Sequence, residues 1–141
     1  MSEQEPELKS FNDNIIEEFR ANGGKVGGMF EGATLLLLTT IGAKSGRQRV
    51  NPLAYLDVDG KMIIIGSYAG ADVNPAWVHN LRAHPRGHIE VGSGDYDVVA
   101  RELPPAERDA TWERVVAMAP GFGEYQTKTE RVIPLFELAR A

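Results

Sequence analysis

Three cations, Lys44, Arg47 and Arg49, stand within six residues of one another beside the glycine-bounded turn Gly42-Ala43-Lys44-Ser45-Gly46. The glycines let the backbone turn sharply and expose its amide hydrogens, and amide donors beside fixed cations suit a phosphate or another polyanion. A solvated hairpin tip has the same composition, so chemistry alone leaves both readings open. The turn is not a Walker A loop, because Ala43 rather than glycine precedes Lys44-Ser45, and this disfavours an ATPase or kinase. His79, His84 and His88 invite a metal reading. Pro85 breaks the helical register between the last two and no acidic cluster accompanies them, so no metal site is expected. Glu107, Arg108, Glu113 and Arg114 read as the solvated face of a helix.

The turn needs two strands to present it. Leu35 to Ile41 is an apolar run too short for a membrane span and reads as a buried strand ending at Gly42. A second strand runs through Leu53, Tyr55 and Leu56 to Asp59-Gly60, a strong hairpin signal. Pro52 within it implies an edge, a bulge or a place where the ladder is interrupted for a ligand. Lys61 to Ser67 reads as a third, buried strand followed by a small-residue loop to Ala71. Asn74-Pro75 predicts a helix start, with Asn as N-cap and Pro at the first helical position, running through Trp77, Leu81 and Arg82 and stopping before His84-Pro85. Ile89, Val91, Tyr96, Val98 and Ala100 alternate around Gly92 to Asp95 as a hairpin. After Pro104-Pro105 a helix buries Trp112, Val115, Val116 and Met118, and Pro120 to Gly123 break it. Residues 125–131 are ambiguous, and Val132 to Leu138 close the chain as a strand.

Ahead of these lies a polar tail to about Glu7, then an amphipathic helix with Leu8, Phe11, Ile15, Ile16 and Phe19 on one face, ending at Gly23-Gly24. Asp13, Glu17 and Glu18 on its other face would be repelled by anionic lipid, so it should pack on the domain. Lys25 to Gly32 reads as a loop anchored by Met29 and Phe30. The count is about six strands and three helices, which favours a small antiparallel barrel of α+β class over a Rossmann fold. Residues 1–24 form a tail and helix, and residues 25–141 the barrel domain.

The 141 residues allow one domain with a substantial core. A net charge of −5 argues against a nucleic-acid partner. Without cysteine there is no thiolate nucleophile or disulfide framework. The acidic N-terminus is unlike a signal peptide and no integral membrane segment is apparent, which points to a soluble, cytoplasmic protein.

Three segments read together resemble a known family. They are Thr39-Thr40 with Gly42-x-Lys44-Ser45-Gly46-x-x-Arg49-x-Asn51-Pro52-Leu53, then Asn74-Pro75-x-Trp77-x-x-Asn80-Leu81, then Tyr125-Gln126 with Arg131-x-Ile133-Pro134. The chain is similar, from about Gly27 to its end, to the actinobacterial deazaflavin-dependent nitroreductases, which use coenzyme F420. The resemblance implies a split β-barrel like that of FMN-binding, pyridoxamine-phosphate-oxidase-like proteins. It implies that Lys44, Ser45, Gly46 and Arg49 hold the phosphate and acidic tail of the cofactor. Val50, Asn51, Pro52, Leu53 and Ala54, with Ile65, Gly66, Ser67 and Tyr68, would line its ring, and Ala76, Trp77, Val78, His79 and Asn80 would close over it. Tyr68 stands where relatives are often basic, which removes one tail contact. Relatives that reduce bulky nitroimidazoles place tyrosines at positions matching Ala54, Ala119 and Phe122. Of these substrate positions only Tyr125 keeps a hydroxyl, so cofactor binding carries over better than nitro-drug reduction.

The activity implied is hydride transfer from reduced deazaflavin to a small conjugated acceptor, a quinone, enone or nitroarene. The cofactor carries the chemistry, and Tyr125 or Ser67 would steady the developing oxyanion or deliver a proton. The alternatives are an FMN-dependent oxidoreductase of the same barrel class, and a non-catalytic protein that binds the deazaflavin or a lipophilic ligand. An exposed barrel edge could pair two chains as a homodimer.

Overall fold

The computed structural model describes residues 4–24, 34–92 and 94–141. Helix α1 (Gln4–Ala21) precedes strands β1 (Leu35–Ile41), β2 (Gln48–Val58) and β3 (Lys61–Ile65). Helix α2 (Ala76–Ala83), strands β4 (Arg86–Val91) and β5 (Gly94–Glu102), helices α3 (Pro105–Met118) and α4 (Gly121–Thr127), and strand β6 (Leu135–Arg140) complete the chain. The strands close into an antiparallel barrel in the order β1-β2-β3-β6-β5-β4. This is the barrel the hairpin signals imply, with one helix more. The segment 25–32, with Met29 and Phe30, lies outside the described residues.

Closure follows from two-residue alternation on strands with two apolar faces. Leu36 and Leu38 point inward with Ile64, Ile89, Val98, Phe136 and Leu138, while Trp77, Val78 and Leu81 of α2 plug one end of this core. Leu35 and Leu37 point outward, where Ile15, Ile16 and Phe19 of α1 cover them together with Val50. A second outer cluster, centred on Ile63, Ile65, Leu135 and Val115, seats α3 and α4. Asp59 and Gly60 both have positive φ, 55° and 83°, as a tight primed hairpin turn demands.

Several boundaries differ from the sequence reading. The helix of α1 begins at Gln4, so Glu5 and Glu7 are helical and not a tail. At α2 Pro75 is the extended residue before the first turn and no side chain caps the helix; the Asn74 side-chain Oδ1 accepts from Arg131 at 2.8 Å instead. Met118 is 52% exposed and lies off the apolar face of α3. Helix α4 starts at Gly121, inside the stretch read as a break, and takes in the first three of the ambiguous residues, 125–127; its two glycines left no apolar stripe to read. The last strand starts at Leu135, leaving Val132 65% exposed. Arg108 is a further correction: it is only 8% exposed. Its guanidinium donates to the Ile133 carbonyl (3.0 Å) and the Gln126 side-chain oxygen (3.0 Å), and lies 4.5 Å over the Trp112 ring.

A candidate anion turn beside an open barrel edge

The turn between β1 and β2 is fixed from within. Gly42 N–H donates to the Arg47 carbonyl (2.8 Å) and Gly46 N–H to the Gly42 carbonyl (3.0 Å). Arg47 N–H donates to Ser45 Oγ (3.2 Å). A Cβ on Gly42 would displace the Ser45 hydroxyl that receives Arg47 N–H, and Gly46 sits at φ 70°, so both positions favour glycine. These bonds leave the amides of Lys44 and Ser45 without a partner among the described residues.

Asn80 locks the turn to the barrel. Its Oδ1 accepts Ala43 N–H at 2.9 Å and its Nδ2 donates to Thr40 Oγ1 at 3.1 Å, with Asn80 and Thr40 both buried. The resemblance places Asn80 against the cofactor; here its amide is bound on both sides by the chain, so it braces the turn. Trp77 is likewise core, 4% exposed and edge-on to Phe136 at 5.7 Å, and Val78 is fully buried. Ala76 and His79 are the exposed members of that group.

Six cations among the described residues are ion-paired: Arg20 with Glu90, Lys61 with Glu107, Arg82 with Glu102, Arg101 with Glu107 and Glu137, Arg108 with Asp109 and Arg114 with Asp59. Among the lysines and arginines whose side chains are described, only Lys44, Arg47, Arg49 and Arg86 have neither an ion pair, a hydrogen bond nor an aromatic ring against them. They gather at one barrel end. Arg49 stands across from Thr40, and the β1–β4 register that sets Thr39 opposite His88 brings Arg86 level with Ile41. Sequence spacing could not show Arg86, which lies far along the chain and joins only through strand pairing.

From this turn β2 runs along an open edge. It pairs with β3 only through Tyr55 to Val58, so on that side the backbone from Gln48 to Ala54 has no strand partner. Pro52 falls in this stretch, where its missing N–H costs no ladder bond. By alternation Arg49, Asn51 and Leu53 share the inner face, and Val50, Pro52 and Ala54 the outer face. Val50 packs against α1 and Leu56 against the cluster that holds Val115 of α3, leaving half-exposed Pro52 and exposed Ala54 between them on the outer face.

The opposite wall is the segment after β3. Gly66 N–H pairs with the Pro134 carbonyl (2.9 Å), and a Cβ there would press on Pro134 and Val78 at 2.9 and 3.0 Å. Arg131 donates to the carbonyls of Gly66, Ser67 and Ala71 and to Asn74 Oδ1. Burial holds its guanidinium below the ordinary arginine range, partly offset by Asp72. Ser67 is 8% exposed and Tyr68, at φ 47°, is 47% exposed. Gly70 sits so close to the Tyr125 carbonyl that a Cβ would stand 2.9 Å from it, which brings α4 to this wall. Tyr125 is half-buried, edge-on to Phe122 at 6.0 Å, with Lys128 Nζ 5.8 Å from its ring, and its hydroxyl has no partner among the described residues. Ala119 ends α3 just before them. A depression of about 510 Å³, lined by Asp72 and residues 127–131, opens beside this wall; another of about 410 Å³ lies at the far barrel end, around Tyr55, Met62, Tyr96 and Arg140. Neither is lined by the cation turn. Pattern reading did not single out Gln126 and Arg131, whose side chains hold this wall together, although both fall in the motif segments quoted above.

An antiparallel six-stranded barrel, with β2 unpaired along part of one side and a cation-rich turn at one end, is of the split-barrel class. A family model described as F420H(2)-dependent quinone reductase matches residues 13–139, and the chain belongs to that family. It is 34% identical over 126 residues to an F420H(2)-dependent quinone reductase of Mycobacterium tuberculosis strain H37Rv, covering 86% of this chain and 85% of that one. Among solved structures it is similar to an F420-H2 dependent reductase, FDR-A, at 39% identity and TM-score 0.66, covering 74% of this chain and 93% of that one. A second structure, described as a domain-swapped dimer, is 34% identical with TM-score 0.68 and covers 93% and 96%. A Listeria innocua protein assigned to the pyridoxamine 5'-phosphate oxidases shares the fold alone, at 8% identity, TM-score 0.51 and 91% coverage of each chain. The chain is thus an F420H2-dependent reductase with coenzyme F420 as its cofactor.

Proposed function

We propose that this chain passes hydride from reduced coenzyme F420 to a quinone-type acceptor in the groove between the cation turn and the Gly66–Asn74 wall. The observation that carries this reading is the gathering of the unpaired cations and the free Lys44 and Ser45 amides at one end of the open β2 edge. Such a donor set fits a phosphate and a carboxylate tail, which need amide donors and unneutralised charge together. When bound, the cofactor supplies the hydride; the chain supplies position and electrostatics. Lys44, Ser45, Gly46 and Arg49 take the tail, with Asn80 holding their turn in shape. The ring lies along Val50 to Ala54, facing Ile65 to Tyr68 and bordered by exposed Ala76 and His79. Ala54, Ala119, Phe122 and Tyr125 border the acceptor, and Tyr125 or Ser67 donates a hydrogen bond to the oxygen that gains charge. The relatives named as quinone reductases favour a quinone over a nitroarene. We further propose that the protein acts in the cytoplasm; none of the described helices is long and apolar enough to cross a membrane. A second copy is its expected partner, in line with the similar structure described as a domain-swapped dimer.

The test is a fluorescence titration with coenzyme F420 and, in parallel, FMN, comparing wild type with Lys44→Ala/Arg49→Ala. Each charge-assisted bond is worth about 1.5–3 kcal/mol, less at an exposed site, so the pair should cost roughly 30-fold or more in F420 affinity. Both residues are exposed and unpaired, so the melting temperature should not move. Tight FMN binding with weak F420 binding would overturn the cofactor reading. F420 binding without turnover of any quinone would make this a carrier protein.

A further inference from the structure

The wall opposite the cation turn is built around a single cation. Four acceptors converge on the Arg131 guanidinium: the Ala71 carbonyl at 2.8 Å, Asn74 Oδ1 at 2.8 Å, the Ser67 carbonyl at 2.9 Å and the Gly66 carbonyl at 3.1 Å. No carboxylate among the described residues is within ion-pair reach of it. Arg131 is itself held from behind, since Gln126 Nε2 donates to the Arg131 carbonyl at 2.7 Å and Gln126 Oε1 accepts from Arg108 and from Ile133 N–H. The segment it organises has little regular structure of its own, beyond bonds from Gly70 N–H to the Ser67 carbonyl (2.9 Å) and from Ala71 N–H to the Tyr68 carbonyl (3.1 Å). Tyr68 is a non-glycine residue in the left-handed region, a strained conformation that persists only where the surroundings over-determine it.

The direction of these bonds has a chemical consequence. There is no cis peptide in the described chain, so in each peptide unit the N–H points opposite to the C=O. The Gly66 carbonyl shares its peptide with Ser67 N–H, and the Ser67 carbonyl shares its peptide with Tyr68 N–H. Both carbonyls point at Arg131, on the β6 side of β3, so both amides point the other way, toward the unpaired edge of β2. Ser67 is right-handed (φ −70°, ψ −39°) and Tyr68 left-handed (φ 47°), a succession that turns neighbouring amides to one side. Neither amide has a partner among the described residues. A cation on the carbonyl end of a peptide also strengthens the donor at its other end.

We propose that Arg131 is a positioning residue for the reductase reaction: it fixes and polarises the Gly66-Ser67-Tyr68 peptides so that the Ser67 and Tyr68 amides face the acceptor oxygen. This rests on the hydride-transfer reading above. An acceptor carbonyl that takes a hydride with its electron pair gains one negative charge on oxygen, which a solvent proton later neutralises. Preorganised amide donors aimed at that oxygen lower the barrier without being reorganised in the step. Lysine cannot replace arginine here, because one ammonium point cannot meet four acceptors held in a planar fork.

The test uses the full chain as Arg131→Lys and Arg131→Ala. Without cofactor, amide hydrogen exchange reads the clamp directly: the Gly70 and Ala71 amides should exchange roughly tenfold faster in both variants while those of β1 and β3 keep their protection. With saturating reduced F420 and a soluble naphthoquinone, kcat should fall on the order of 100-fold, the cost of losing aligned contacts to the reacting centre. F420 affinity should change less than threefold, because the tail is anchored on Lys44 and Arg49. Free guanidinium added to Arg131→Ala should recover part of kcat. Unchanged Gly70 and Ala71 exchange overturns the clamp. Equal losses in kcat and F420 affinity, or none in kcat, overturn the positioning role. Failure of wild type to bind F420 would sink the parent reading, and the cofactor-free exchange result would still decide the clamp.

Discussion

The Asn80 side chain offers the sharpest perturbation of the cation turn, because one amide bridges a buried strand residue and the turn backbone. In Asn80→Ala the bond to Ala43 N–H (2.9 Å) and the bond to Thr40 Oγ1 (3.1 Å) are both lost. Thr40 is 1% exposed, so its hydroxyl cannot turn to water, and Ala43 N–H is part-buried. An unsatisfied buried polar group costs about 1–3 kcal/mol, and the two together, with partial relief at the exposed turn, come to about 2–4 kcal/mol. For a domain of this size that is a fall in Tm of roughly 6–16 °C. The turn then loses its anchor to α2, so F420 affinity should drop about tenfold although Asn80 itself touches no ligand in our reading. Asn80→Asp separates the two effects. It keeps an acceptor for Ala43 N–H and another for the Thr40 hydroxyl, but sets a carboxylate beside the tail site. Its affinity loss should shrink at high salt, as a charge effect does, whereas the alanine loss should not. Thermal melts and fluorescence titrations at two salt concentrations read all of this. A Tm within 1 °C of wild type for Asn80→Ala, with unchanged affinity, would refute the bracing argument.

How much of this was legible in the sequence depended on whether the signal was local. Strand β1 and the turn Gly42–Gly46 could be read residue by residue, because an unbroken apolar run and paired glycines leave few alternatives. Asp59-Gly60 specified its hairpin for the same reason. The closure of the barrel was legible only as a count of hairpins; that β1 pairs β4 and β3 pairs β6 is long-range register that no local pattern encodes. Pro52 was correctly marked as unusual, but its cause, an edge left open by the shortness of β3, is a property of two strands. Arg108 was misread because a charged residue in an apparently polar helix face is usually solvated, and only the fold brings Ile133 and Gln126 to it. The same holds for Asn74: its local capping propensity lost to a guanidinium that arrives from residue 131. The resemblance to a family supplied the cofactor, which the bare turn left open. It placed Asn80 and Trp77 at the ligand, where packing instead makes them the brace and the core behind it.

Two further perturbations separate chemistry from structure. Tyr125→Phe should leave Tm unchanged, since the hydroxyl has no partner among the described residues, and should lower kcat with a soluble naphthoquinone about tenfold or more if the phenol serves the acceptor oxygen; unchanged turnover removes it from the mechanism. The last concerns pH. His88 lies between Asp97 Oδ1 (2.8 Å from Nδ1) and Asp95 Oδ2 (2.8 Å from Nε2), and these hydrogen bonds, first that to Asp97, raise its pKa above the ordinary 6.5. A folded-state pKa above the unfolded value means that folding favours the protonated ring. The stabilisation is therefore complete below about pH 6.5 and fades as pH rises through the folded-state value. All three side chains are more than a third exposed, so solvent screening limits the effect to about 0.5 kcal/mol, the scale of a surface ion pair. Urea melts of wild type and His88→Asn from pH 5.5 to 8.5 should converge toward the alkaline end, with wild type the more stable at the acid end. A difference that instead grows with pH would mean the ring is held neutral in the folded protein, with one N–H to donate and so only one of the two aspartates as its acceptor.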